Sequence, residues 1–227
     1  MTATPPTRPR IPWMPALLAL LLTGLLSACG KPPMLVQQYL PDYPAPAAAS
    51  RTPVPEALKV EQFSVAQAFN TQNMVYQPRP YTAAVYHYSR WRANPGYLVT
   101  DYLLRDLREA RRFSGVFGPN SSAKYRFRLE GGVEEFLELD EPDGWQAVLA
   151  ITVTLLDVNQ EQLPQRVVLQ KSYRAAVPMP EKTPQGLARA MSGALEQVSG
   201  QVIGDLADAA RRRVAGQEAG GGAAKFR

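Results

Sequence analysis

From residue 56 onward the apolar side chains follow two rhythms. One is alternation, which marks a strand with one wet face. The other is recurrence every three or four positions, which marks a helix burying one stripe. Leu58, Val60 and Phe63–Val65 predict a first strand, and Asn73–Tyr76 a second that ends before Pro78. Ala83–Tyr88 predicts a third, with Val85 and His87 on one face and Ala84, Tyr86 and Tyr88 on the other. Leu98, Tyr102, Leu103, Leu107 and Ala110 predict a helix from about Gly96 to Phe113, whose other side carries Arg105, Arg108, Glu109, Arg111 and Arg112. Tyr125, Phe127 and Leu129 then alternate with Lys124, Arg126, Arg128 and Glu130, a strand wet on one side, with Gly131-Gly132 predicting a bulge in it. Past the turn Glu141-Pro142-Asp143-Gly144, a strand follows with Leu149, Ile151, Val153 and Leu155 on one face; Val167, Leu169 and Tyr173 mark the last one. The closing helix is capped by Thr183 and has Pro184 at its first position. Ala188, Met191, Leu195, Val198, Val202, Leu206 and Ala209 form its stripe, and Arg211-Arg212-Arg213 ends it, where positive charge complements the helix dipole. The economical packing of these elements over residues 56–214 is a two-layer α+β domain, a mostly antiparallel sheet with two amphipathic helices on one face.

The N-terminal pattern is different. Arg8 and Arg10 precede an apolar run from Ile11 to Leu26 that closes on Leu26-Ser27-Ala28-Cys29. This is the layout of a bacterial secretory signal over residues 1–28. The run is shorter than the roughly 20 apolar residues of a membrane span and is broken by Pro12, Pro15 and Gly24. Its end resembles the lipobox of bacterial lipoproteins, which implies that Cys29 becomes the mature N-terminus and carries lipid on its sulfur and amine. Three acyl chains would make release negligible, since each buried methylene contributes about 0.8 kcal/mol. Gly30 stands where Asp favours retention in the inner membrane of enteric-type bacteria. Its presence points to the outer membrane, with the inner membrane as the alternative.

Residues 29–55 read as a lipidated proline-rich tether of about 80 Å at most, since such sequence prefers extended polyproline II and buries little. The alternative is that Tyr39 and Tyr43 dock on the domain as an early strand. Residues 215–227, rich in Gly and Ala, read as a disordered tail. With a single cysteine no internal disulfide forms, so the fold rests on its core. Of 25 basic residues, Arg8 and Arg10 leave with the signal, so 23 face 20 acidic ones. That balance is too mild to imply a nucleic-acid partner.

Candidate chemistry is sparse. His87 is the only histidine and reads as a sheet residue. The sequence holds no Ser-centred elbow, phosphate-binding glycine loop or metal-ligand spacing. The acidic stretch from Glu134 to Asp143 lacks the spacing of a calcium loop. The chain is therefore expected to be no enzyme and to need no cofactor or metal. The aromatic segment is more distinctive. Tyr86, Tyr88, Arg90 and Trp91 stand as partner-binding candidates, because Trp, Tyr and Arg dominate binding hot spots. The competing reading is that Trp91 pins the helix onto the sheet.

At these residues the chain resembles the ABC-type transport auxiliary lipoproteins, a family that includes the lipoprotein of the paraquat-inducible Pqi system. Met74-Val75-Tyr76 matches, with Gln77 where Arg is usual; so do Arg90-Trp91, Pro95 with Leu98, Tyr125–Leu129 and the helix carrying Ala188, Met191, Ser192 and Leu195. The resemblance covers about residues 35–210. It implies an outer-membrane lipoprotein facing the periplasm that works with an inner-membrane ABC ATPase and permease and with MCE-type substrate-binding proteins in intermembrane lipid transport. A homo-oligomer matching the partner's symmetry is implied by analogy. The resemblance carries over no catalytic residue, and Cys29 is the functional position it transfers. A lipoprotein that regulates or assembles another envelope machine, such as a peptidoglycan synthase, would share the anchor and the tether.

Overall fold

The computed structural model of the chain describes residues 35–48 and 50–224, with side chains through Gln217. The signal peptide expected over 1–28, the lipidation candidate Cys29, the residues from there to Met34, and the last three residues lie outside these. A compact unit begins at Val36. Its strands are β1 (Gln37–Tyr39), β2 (Val54–Val60), β3 (Ser64–Val65), β4 (Asn73–Gln77), β5 (Ala84–Trp91), β6 (Phe113–Phe117), β7 (Phe127–Glu141), β8 (Gly144–Asp157) and β9 (Val167–Pro178). Its helices are α1 (Pro95–Glu109), the single turn α2 (Leu163–Arg166) and the long α3 (Pro184–Ala224).

The β7–β8 hairpin is the spine, antiparallel from Phe127 opposite Asp157 to Glu141 opposite Gly144, and β9 pairs antiparallel along β8. The other edge of β7 is shared by three short strands running parallel to it. β2 lies beside Phe127–Leu129, β3 beside Gly132–Val133 and β4 beside Glu138–Leu139. Beyond them β6 adds to β2 in parallel, β5 to β4 antiparallel, and β1 to β5 in parallel. The α+β class holds, but the sheet is mixed, which corrects the mostly antiparallel one expected. Alternation along a strand reveals its two faces and not its neighbours. Here the short strands reach β7 through crossovers, which give parallel pairs, instead of through hairpins.

Both long helices cover one face of the sheet. Val99 and Leu103 of α1 and Leu195 and Val198 of α3 converge over Leu149 and Ile151 of β8. One core joins them to Trp91, Phe127, Phe136 and Met191. Each such large side chain contributes about 1.5–3 kcal/mol by leaving water. The opposite face is polar along its middle, where Thr152 meets Glu134 and Ser172, and holds a small cluster of Val75, Leu137 and Val148. Arg126, expected on the wet side, is buried against Asp157 and Glu56.

The caps follow the sequence. Asn94 Oδ1 accepts from the Gly96 N–H at 3.0 Å with Pro95 opening α1, and Thr183 Oγ1 accepts from the Gly186 N–H at 3.0 Å. Three boundaries differ. α1 stops at Glu109 because Arg111 turns left-handed (φ 49°), and Phe113 then opens β6, a strand the helical stripe had absorbed. α3 runs past Arg213 to Ala224, through residues expected as a disordered tail; each added residue gains a helical hydrogen bond from the turn before it. The bulge in β7 sits between Val133 and Glu135. Gly131 serves a close approach instead, since a Cβ there would lie 2.3 Å from the Phe63 ring.

Candidate functional site

The stripe that α1 turns inward contains a charge, Asp106, fully buried between Leu103 and Ala110. A lone buried carboxylate costs several kcal/mol, so it must be met by donors. Three converge on it: the Tyr43 hydroxyl at 2.8 Å, the Ser199 hydroxyl of α3 at 2.6 Å and Arg105 Nε at 2.8 Å. The Arg105 guanidinium also lies over the rings of Tyr43 and Tyr102, at 4.4 and 4.9 Å, and those rings stack on each other at 5.4 Å. Burial, reinforced by the bond to Asp106, pushes the Tyr43 hydroxyl far above its ordinary range and keeps it a neutral donor.

This cluster clamps the segment before the domain. The Asp42 N–H donates to Ser192 Oγ at 2.8 Å, the Tyr102 hydroxyl donates to the Pro41 carbonyl, and β1 pairs with Ser89–Trp91 of β5. The tether expected over 29–55 is therefore folded from Gln37, and β2 starts inside it at the buried Val54. Tyr39 docks in β1, the early strand of the alternative reading, and Tyr43 docks beyond it, outside any strand. Proline fixes φ without preventing a segment from packing when aromatics beside it find partners.

The four partner-binding candidates separate. Trp91 is 1% exposed and packs edge-on to Phe136 at 5.1 Å, so it pins β5 into the core and offers no contact surface, a correction to its candidacy. Tyr86 is half-buried and donates to Glu138 Oε2 at 2.8 Å. Tyr88 and Arg90 face solvent, as does His87. A strand alternates its faces, so one residue of an Arg-Trp pair points in while the other points out.

Glu138 is a second buried charge, 0% exposed. Burial raises its carboxyl to about 7; a shared hydrogen bond and the charge of Asp140 push the same way, against the Tyr86 bond and Lys182. Its Oε1 and Asp140 Oδ1 receive no donor from another side chain. Lys182 pairs with Asp140 and lies over the Tyr76 ring. Among the described residues no three His, Cys, Asp or Glu side chains gather as a metal site would require, and no helix is long and apolar enough to cross a membrane. The sequence reading missed all three buried acids, Asp106, Glu138 and Asp157, although Asp106 carried a signal. It stands three residues after Leu103 and four before Ala110, on the apolar stripe itself.

The profile of the family described as ABC-type transport auxiliary lipoprotein component matches residues 39–203. No curated protein matches the chain. Among solved structures, the protein XCC0632 of Xanthomonas campestris superposes with a TM-score of 0.70 at 19% identity, over 79% of this chain and 99% of its own. An uncharacterized protein follows at a TM-score of 0.57 and 15% identity, over 75% and 99%. At those identities the likeness is one of fold. The family match spans most of the folded unit, including the clamped Tyr43, the Asp106 cluster and the β5–α1 segment, and by it the chain belongs to the ABC-type transport auxiliary lipoprotein components.

Proposed function

We propose that the chain is the auxiliary subunit that ties an MCE-type intermembrane lipid transport system to the outer membrane, lipidated on Cys29 and facing the periplasm. The observation that carries this reading is the family match, joined to an N-terminal segment that enters the fold almost at once. Six residues separate Cys29 from Val36. At about 3.3–3.6 Å per residue their reach is about 25 Å, not the 80 Å of a free tether. The anchor then holds the domain close to its membrane, and the Asp106 clamp passes any pull on the anchor into both long helices and the sheet.

The role is positional and not enzymatic. The buried ionisable groups that could be turned to chemistry hold the fold: Asp106 the clamp, Arg126 with Asp157 and Glu56, and Glu138 with Tyr86. Nucleotide hydrolysis would belong to the ATPase and permease of the system, and the lipid conduit to its MCE-type protein.

The test is affinity capture of the acylated protein from solubilised envelope, read by mass spectrometry. Co-purification of an ABC ATPase, a permease and an MCE-type protein is expected. Capture of a peptidoglycan synthase or another assembly machine in their place would overturn the transport assignment in favour of a regulator.

A further inference from the structure

The sheet edge where the folded unit begins has an unusual surface. Gln37 pairs with Ser89 and Gln38 with Arg90, so by the same register Val36 lies opposite Tyr88 and Leu40 opposite Arg92. Strand side chains alternate. Ser89 and Trp91 are buried, so Val36, Tyr88 and Arg90 share the outward face, while Leu40 and Arg92 follow at the end of the edge beside α1. Val36 is 44%, Leu40 53% and Tyr88 53% exposed, a density of apolar side chains that the folded unit leaves uncovered. Leu40 and Arg92 also line a groove of about 460 Å³ against α1.

The turn between β4 and β5 stands at the other end of β5 from the residues that pair with β1. Tyr81 is fully exposed and left-handed at φ 67°, the third residue of a turn that Pro80 opens and the Thr82 N–H closes onto the Arg79 carbonyl. Arg79 stands beside it. From Gln62 to Thr100 the chain carries Arg79, Arg90, Arg92 and His87 and no acid. Among the described residues none of the three arginines forms a salt bridge, and Arg92 Nη1 donates to the neutral Gln38 side chain at 2.5 Å. Asp101, in the groove beside Leu40, pairs with none of them.

We infer that this β1–β5 wing rests on the phospholipid surface that holds the anchor, its arginines on anionic headgroup phosphates and its tyrosine and aliphatic side chains in the headgroup layer. The inference rests on the acylation of Cys29 proposed above. Two observations select lipid over a protein partner. The six-residue leash keeps Val36, where β1 begins, within about 25 Å of the anchoring lipid. The composition of unpaired arginine with exposed tyrosine and aliphatic residues also matches an anionic interface, where basic residues gain attraction and amphipathic rings settle at headgroup level.

Cys29 is the only cysteine, and acylation consumes its thiol, so an introduced cysteine takes a fluorophore uniquely. Leu40→Cys, Tyr81→Cys and, as a control, Leu163→Cys would each be labelled in the acylated protein. Leu163 is 68% exposed and lies in the β8–β9 connection, at the opposite end of the β7–β8 hairpin. The proteins would be reconstituted in phosphatidylethanolamine–phosphatidylglycerol vesicles containing a headgroup-nitroxide lipid. Probes at 40 and 81 should lose most of their fluorescence and the probe at 163 should keep it. Combining Arg79→Glu, Arg90→Glu and Arg92→Glu should restore the signal at 40 and 81 with thermal melting and vesicle retention unchanged. If the chain stays with the vesicles but positions 40 and 81 are quenched no more than 163, the lipid-facing wing is refuted. The same holds if position 81 stays unquenched yet crosslinks to an envelope protein. A chain that does not stay with the vesicles refutes the acyl anchor itself.

Discussion

The Tyr43 hydroxyl donates a 2.8 Å hydrogen bond to the buried carboxylate of Asp106, and through it a proline-rich segment becomes part of the fold. Tyr43→Phe removes one donor from a buried charge and should lower unfolding free energy by about 1–3 kcal/mol. Asp106→Ala orphans Tyr43, Ser199 and Arg105 together and should cost about 3 kcal/mol or more. Urea denaturation measures both. Equal stability of the Tyr43→Phe protein and the wild type would show that the clamp holds nothing.

The same clamp divides the N-terminal region by length. Deleting residues within 30–35 should leave thermal stability unchanged, because the compact unit begins at Val36. Deleting 37–46 removes β1 and the buried Tyr43 and should lower the melting temperature. Calorimetry of the two deletions separates the cases, and equal melting would contradict the folded segment.

Trp91 and Arg90 are neighbours with opposite fates. Trp91→Ala empties a core position packed edge-on to Phe136 and should cost about 3–5 kcal/mol. Arg90→Ser and Tyr88→Ser, on the exposed face, should change stability by no more than about 0.5 kcal/mol. Chemical denaturation of the three variants tests the division.

Glu138 makes stability depend on pH. Its carboxyl is raised from an ordinary 4.5 to about 7, so the folded chain binds the proton more tightly than the unfolded chain does. The favourable contribution is full below about pH 4.5 and declines as pH rises. It is gone above about pH 7, a swing of about 3 kcal/mol. Asp140, Lys182, Tyr76 and Tyr86 surround it and stay in place in Glu138→Gln, whose side-chain oxygen still accepts from Tyr86. That variant should melt higher than wild type at pH 8 and lose most of the decline between pH 5 and 7. Parallel melting curves for the two proteins across that range would count against a buried, proton-holding Glu138.

Gly131 is held by proximity. Gly131→Ala would press a methyl into the buried Phe63 ring and should cost about 1–3 kcal/mol, measurable by denaturation.

The strands from β7 to β9 and the closing helix were legible because each repeats its pattern long enough to show a period. The N-terminus of α3 was legible because Thr183 and Pro184 carry their own signal. Short elements were not. β1 has three residues and β3 two, too few for alternation to register, and both exist because a neighbouring strand offers an edge. The end of α1 depended on a left-handed Arg111, a conformation that its residue type does not advertise. The parallel pairing along β7 is a property of chain crossings and leaves no mark on any single strand. At the site, the Arg90-Trp91 pair was legible as a distinctive segment, but which of the two faces inward is set by the register with β1 and β4. The clamp was half legible, as an aspartate in an apolar stripe whose partners lie 63 and 93 residues away.

The proposed place of the domain at its membrane rests on Cys29, and the most direct measurement is the intact mass of the protein extracted from membranes, with fragmentation of its N-terminal peptide. The account predicts a chain beginning at Cys29 with acyl groups on its sulfur and its amine. A chain that retains residues 1–28, or that begins at Cys29 without lipid, would contradict it.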